Sequence, residues 1–213
     1  MSSNSPATDR LVVMVASAGG LGPFVQVLAA LPASFPAPVL VMQHLPTGGH
    51  VALARILSVR TGLPIGYADG GTAPRPGHVY VAPAGRHLLV GADRRLALAD
   101  TAPVHHARPS ADLLLTSAAS AYGPDLIAVV LSGGRYNGVD GADVVLRVHE
   151  AGGIVIVQDP VSCLRSGMPT AAIASCVTDY VLSPAHIGPL LVSLTAPDCP
   201  TWSDRSTGPL LAG

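Results

Sequence analysis

Short aliphatic and β-branched runs alternate along the chain with stretches whose apolar positions recur at helical spacing. Residues 11–15 are apolar at every position and predict a strand buried on both faces, followed by a helix over 24–31. A second strand is expected at 39–42, ending at Gln43-His44-Leu45-Pro46, and a helix at 51–59. Between about 64 and 98 the pattern changes. Short strands at 78–82, 87–90 and 95–99 lie between Gly and Pro turns, more like antiparallel hairpins than βαβ units. Ser110 then reads as a helix N-cap with Asp112 in the first turn. Strands at 126–131 and 154–157 flank a helix at 139–150, and helices at 170–175 and 184–194 close the pattern. The expected fold class is therefore α/β: a three-layer, doubly wound sandwich with a mostly parallel sheet and a short antiparallel hairpin region. Residues 1–9 and 196–213 read as tails around one domain over 10–195, without internal repeats.

Composition narrows the functional classes. Of 213 residues, 49% are hydrophobic, only 4% aromatic and 12% charged, so the core is built from Ala, Val, Leu and Ile. The net charge is −1 and there is no dense basic run, which leaves no electrostatic footprint for nucleic acid. All permanent cations are Arg. The apolar runs are short and broken by Gly, Pro or His, so membrane insertion is not expected. Residues 1–10 lack the apolar centre of a signal peptide. The three cysteines, Cys163, Cys176 and Cys199, have no metal-ligand spacing, and reduced thiols in a cytoplasmic protein are the expectation.

The candidate chemistry sits at strand ends. Ser17 follows the first strand within Ala16-Ser17-Ala18-Gly19-Gly20 and precedes a helix, where backbone N–H groups can stabilise a developing anion. His44 ends the second strand. The loop Ser132-Gly133-Gly134-Arg135-Tyr136-Asn137-Gly138 follows a third. In an open parallel sheet, ligands bind outside the carboxyl ends of the strands. A Ser, a His and an amide or carboxylate from three such ends have the makings of a hydrolytic triad. Each alone has a plainer explanation: Ser before Gly-Gly is commonly a turn or phosphate-binding loop, and a strand-end His is commonly structural. A Walker A lysine, a GxGxxG run and a GxSxG elbow are all absent. His105-His106 is a weak metal pair, because neighbours on a strand face opposite ways. No cofactor is expected.

With these residues in place, the chain resembles the catalytic domain of the chemotaxis protein-glutamate methylesterase, CheB, from about residue 11 to 193. The resemblance rests on Ala16-Ser17-Ala18-Gly19-Gly20, Gln43-His44-Leu45-Pro46 and Val81-Ala82-Pro83-Ala84-Gly85-Arg86-His87-Leu88. Arg108-Pro109-Ser110-Ala111-Asp112, Gln158-Asp159 and Gly167-Met168-Pro169 extend it in the same order. It implies hydrolysis of γ-glutamyl methyl esters on the cytoplasmic domain of methylated chemoreceptors, with deamidation of glutamine in some members. By position it implies Ser17 as nucleophile, His44 as general base and Asn137 in the place of the triad Asp. The amides of Ala18 and Gly134 become the oxyanion candidates.

Two positions depart from the family pattern. Val15 stands where Gly is common, two residues before the serine. Asn137 replaces an Asp that would orient the imidazole and stabilise its cation; Asn can orient but carries no charge. Asp140, three residues on, is a possible substitute. Asn137-Gly138 is also the dipeptide most prone to spontaneous deamidation. The opposing reading is a catalytically impaired regulatory or binding module on the same fold. Only about ten residues precede the first strand, so no receiver domain is expected in cis, and the site is expected to be either constitutively open or gated by a separate receiver protein.

Overall fold

The computed structural model describes residues 9–44, 53–134 and 142–196. Its centre is a seven-stranded sheet of β1 (Leu11–Ala16), β2 (Val39–Gln43), β3 (Ile65–Tyr67), β4 (Val79–Val81), β7 (Leu126–Val130), β8 (Ile154–Gln158) and β9 (Tyr180–Leu182). The spatial order is β3-β4-β2-β1-β7-β8-β9, and every pairing is parallel. A separate antiparallel hairpin joins β5 (His87–Val90) to β6 (Leu96–Ala99).

Side-chain alternation on the central strand builds two cores. Leu11, Val13 and Val15 pack with the hairpin and with α3 (Ala111–Tyr122), α4 (Ala142–Glu150) and α5 (Gly167–Ala174). Val12, Met14 and Ala16 pack on the opposite face with α1 (Leu21–Ala29), α2 (Leu53–Arg60) and α6 (Pro184–Leu194). A strand covered on both faces must be apolar throughout, which is why β1, β7 and β8 show unbroken hydrophobic runs. Ser110 caps α3 as its sequence indicates, its hydroxyl accepting from the Leu113 amide at 3.5 Å.

The stretch from 64 to 98 corrects the expectation in part. The hairpin of β5 and β6 is antiparallel, but Val79–Val81 pairs in parallel with both Val39–Val41 and Ile65–Tyr67. The crossover between β3 and β4 carries no helix, so the local pattern holds no βαβ signature. Val79 and Val81 are 1% exposed, and it is their need for cover that places them in the main sheet. Nearly all of both tails falls outside the described residues, as do the starts of the helices expected at 51 and 139. No helix among the described residues is long and apolar enough to cross a membrane.

Candidate active site

The chain runs from β1 to β2 on one side and later to β7 on the other, so the winding reverses at β1, and it is beyond the carboxyl ends of strands at such a switch point that open α/β sheets bind ligands. The ladder register aligns the candidates there. Ala16 pairs with Gln43, and the His44 amide donates to the Ala16 carbonyl at 2.8 Å, so Ser17 and His44 follow as the next facing positions. Adjacent strands are about 4.8 Å apart. Val13 and Val15, and likewise Leu40 and Met42, face the α3 side, and the period of two carries Ser17 and His44 to that side as well. Ser17 is half-buried and His44 is 6% exposed. Across the other ladder the Ser17 amide donates to the Ser132 carbonyl at 3.0 Å, joining the end of β7 to the same point.

The loop that carries Ser17 is tight. Gly20 N–H donates to Ser17 O at 3.1 Å, closing a turn whose third residue, Gly19, has φ +86°. That pattern belongs to a type II turn and requires glycine. Space imposes the same requirement: a Cβ on Gly19 would lie 2.7 Å from Ser132 Oγ and 2.8 Å from Leu164 Cβ. The amides of Ala18 and Gly134, the two oxyanion candidates, donate to no group among the described residues. Asn137 and Asp140 lie outside the described residues.

Several residues that hold the site are ones to which the sequence reading assigns no chemical role. Ser132 is fully buried; its hydroxyl lies 3.1 Å from Ala18 O and 3.2 Å from Arg165 O, and accepts from the Arg165 amide at 3.1 Å. Its own amide donates to Gln158 Oε1 at 2.9 Å, while Gln158 Nε2 reaches Ser162. The loop after β8 is thereby tied to the loop after β1. Gly133 donates to Arg165 O at 2.9 Å and accepts from Met168 N, and Met168 packs so closely that a Cβ on Gly133 would come within 2.1 Å of its Sδ. Gln158 and Met168 lie in stretches that carry the family resemblance, whereas Ser132 shows in the sequence as a polar residue ending an apolar run.

Other candidates fall into structural places. Arg86 forms an exposed two-pronged pair with Asp100 at 2.8 and 3.0 Å, and His87 is buried with Nε2 3.1 Å from the Ala102 carbonyl. Val15, the departure beside the serine, is 1% exposed and pairs with Met42 and Val130 inside the sheet. His105 and His106 occupy a tight turn, with His105 Nε2 3.6 Å from Asp112. Among the described residues no group of three or more His, Cys, Asp or Glu is arranged to hold a metal.

Comparison with known proteins agrees with this architecture. The chain is 43% identical over 179 residues to a protein-glutamate methylesterase/protein-glutamine glutaminase of Anaeromyxobacter dehalogenans, covering 84% of this chain and 52% of that one. It is 40% identical over 187 residues to the protein-glutamate methylesterase FrzG of Myxococcus xanthus, covering 88% and 55%. The chain thus spans about half the length of these curated relatives. The crystal structure of the Thermotoga maritima CheB methylesterase catalytic domain superposes with a TM-score of 0.82 at 34% identity, covering 88% of this chain and all of that one. A sequence model of the CheB methylesterase family matches residues 12–191. With the sheet, the strand-end serine and histidine and these matches in agreement, the chain belongs to the CheB methylesterase family.

Proposed function

We propose that this domain is a serine esterase that removes methyl groups from γ-glutamyl methyl esters of chemoreceptor cytoplasmic domains, with glutamine side chains as a second substrate. The observation that carries the reading is the register of Ser17 against His44 at the ends of two central strands, beside an Ala18 amide without a partner among the described residues. His44 takes the proton of Ser17 Oγ as the oxygen attacks the ester carbonyl. The resulting oxyanion is met by the Ala18 amide, with Gly134 as the second donor. His44 returns the proton to the departing methoxide, releasing methanol. Water, deprotonated by the same imidazole, then cleaves the acyl-enzyme to glutamate. No cofactor enters these steps.

Asn137 orients the imidazole in this scheme but cannot offset its positive charge. In serine proteases the corresponding Asp-to-Asn change costs about 10⁴ in rate, roughly 5 kcal/mol of transition-state stabilisation. The domain is accordingly a slow esterase. Methanol release from a methylated receptor fragment tests the reading. Ser17→Ala abolishes it and Asn137→Asp raises it at least tenfold. The missing charge at Asn137 also favours a second reading, a binding module that keeps the fold. Absence of turnover in both the wild type and Asn137→Asp would select that reading, provided the fragment still binds.

A further inference from the structure

The turn that follows Ser17 is fastened by two side chains from different strands. Gln43 Nε2 donates to the Ser17 carbonyl at 3.3 Å, a carbonyl that also receives the Gly20 amide. Ser132 Oγ lies 3.1 Å from the Ala18 carbonyl, and the Ser132 carbonyl takes the Ser17 amide. In a trans peptide the C=O and the following N–H point in opposite directions. Holding Ser17 O therefore turns Ala18 N–H away from Gln43. Gln43 follows Val39 and Val41 in alternation, the residues that face α1, so the Ala18 N–H is turned toward the α3 side. That is the side to which alternation assigns the Ser17 and His44 side chains.

Among the described residues the Gln43 side chain bonds the turn at Ser17 O, and the Ser132 hydroxyl serves the same turn as well as the Arg165 loop. Gln43 Oε1 is buried and accepts no hydrogen bond among the described residues, a cost that the contact of Nε2 with Ser17 O offsets in part. Ser132 is fully enclosed, with its hydroxyl shared between the turn and the Arg165 backbone.

We propose that Gln43 and Ser132 are positioning residues of the esterase site. They hold the Ser17–Ala18 and Ala18–Gly19 peptides so that the Ala18 N–H faces the oxyanion before substrate arrives. This rests on the esterase reading, and adds that the amide is aimed by side chains rather than by the helix start alone. The ligand it fits is the tetrahedral adduct of a carboxylic ester or amide on Ser17.

The test uses the full chain and the variants Gln43→Leu, Ser132→Ala and Ser132→Thr. Turnover of the methylated receptor fragment is normalised to the fraction of Ser17 labelled by a fluorophosphonate, with kcat and KM resolved, and the Ala18 amide is followed by NMR without ligand. Removing an oxyanion donor outright costs about 10²–10³ in kcat, so mis-aiming it costs about 10- to 100-fold. Gln43→Leu and Ser132→Ala are expected to lose that much kcat per labelled serine at an unchanged KM, with a displaced Ala18 resonance. Ser132→Thr keeps the hydroxyl and restores most of the rate. A purely structural role would lower the labelled fraction and leave turnover per labelled site intact; that result, or an unmoved Ala18 resonance, overturns the proposal. Failure of the wild type to release methanol would instead sink the esterase reading and the catalytic role with it. The Ala18 resonance would still report whether the clamp holds the turn.

Discussion

Replacing Gly19 by alanine attacks the nucleophile turn at its narrowest point. An L-residue at φ +86° costs about 1–2 kcal/mol before any contact is considered. The added methyl would meet Ser132 Oγ at 2.7 Å and Leu164 Cβ at 2.8 Å, both well inside contact distance. Leu164 is 77% exposed, but its Cβ is fixed to the backbone, so relief requires the loop itself to move. The Ser132 hydroxyl can retreat only by giving up its bonds to the Ala18 carbonyl and the Arg165 amide, each about 0.5–1.5 kcal/mol. Restricting the unfolded chain returns about 0.4–1 kcal/mol. The net loss is roughly 1–5 kcal/mol, centred near 3 and below the usual 5–15 kcal/mol margin of a domain, so the variant stays folded. Urea unfolding followed by far-ultraviolet circular dichroism reads this as a lower midpoint at unchanged slope. Gly62→Ala is the control. No atom lies within 4 Å of its Cβ, and its φ is outside the positive range, so its stability should hold within about 0.5 kcal/mol. Gly19→Ala should also lose fluorophosphonate labelling of Ser17 while folded. A loss under about 1 kcal/mol with full labelling would refute the steric and hydrogen-bond reasoning together.

Gln158→Leu removes the acceptor for the fully buried Ser132 amide, at about 1–3 kcal/mol for that stranded donor, together with a donor to the exposed Ser162. A midpoint shift in urea equivalent to less than 1 kcal/mol would contradict that role. The Cys163 thiol is pushed up to about 11, first by burial and then by the Asp159 carboxylate. Its thiolate fraction at pH 8 is therefore about 0.1%, and alkylation followed by peptide mass mapping should be slow there and accelerate about tenfold per pH unit. Because the folded thiol keeps a proton that the unfolded one releases above pH 9, this group lowers stability as pH rises from 9 towards 11. Rapid modification of folded Cys163 at pH 8 would contradict the shift. Arg86 and Asp100 are paired on the surface at 43% and 69% side-chain exposure, so a double-mutant cycle to alanine should give a coupling below about 1 kcal/mol. A coupling twice that size would mean the pair is better shielded from solvent than its exposure implies.

What the sequence by itself determined is local. Unbroken apolar runs are possible only where both faces are covered, so β1, β2, β7 and β8 could be read within a residue or two, and Ser110 could be read as a cap because capping depends on neighbours a few positions away. Ser17 and His44 could be placed at strand ends for the same reason, and the rule that open parallel sheets bind ligands beyond those ends grouped them as triad candidates before motif resemblance gave them roles. Strand adjacency is a long-range property, and only the tertiary structure decided it. Val79–Val81 looks locally like one arm of a hairpin, yet it joins the main sheet in parallel because its valines are buried there against distant elements. Ser132 reads as the start of a candidate strand-end loop and Gln158 as part of a resemblance motif, with no contact between them evident. They become the tie between two loops only when β7 and β8 stand side by side beside β1. A hydrogen bond between residues 114 positions apart leaves no periodicity in the chain, because its partners are selected by packing rather than by spacing.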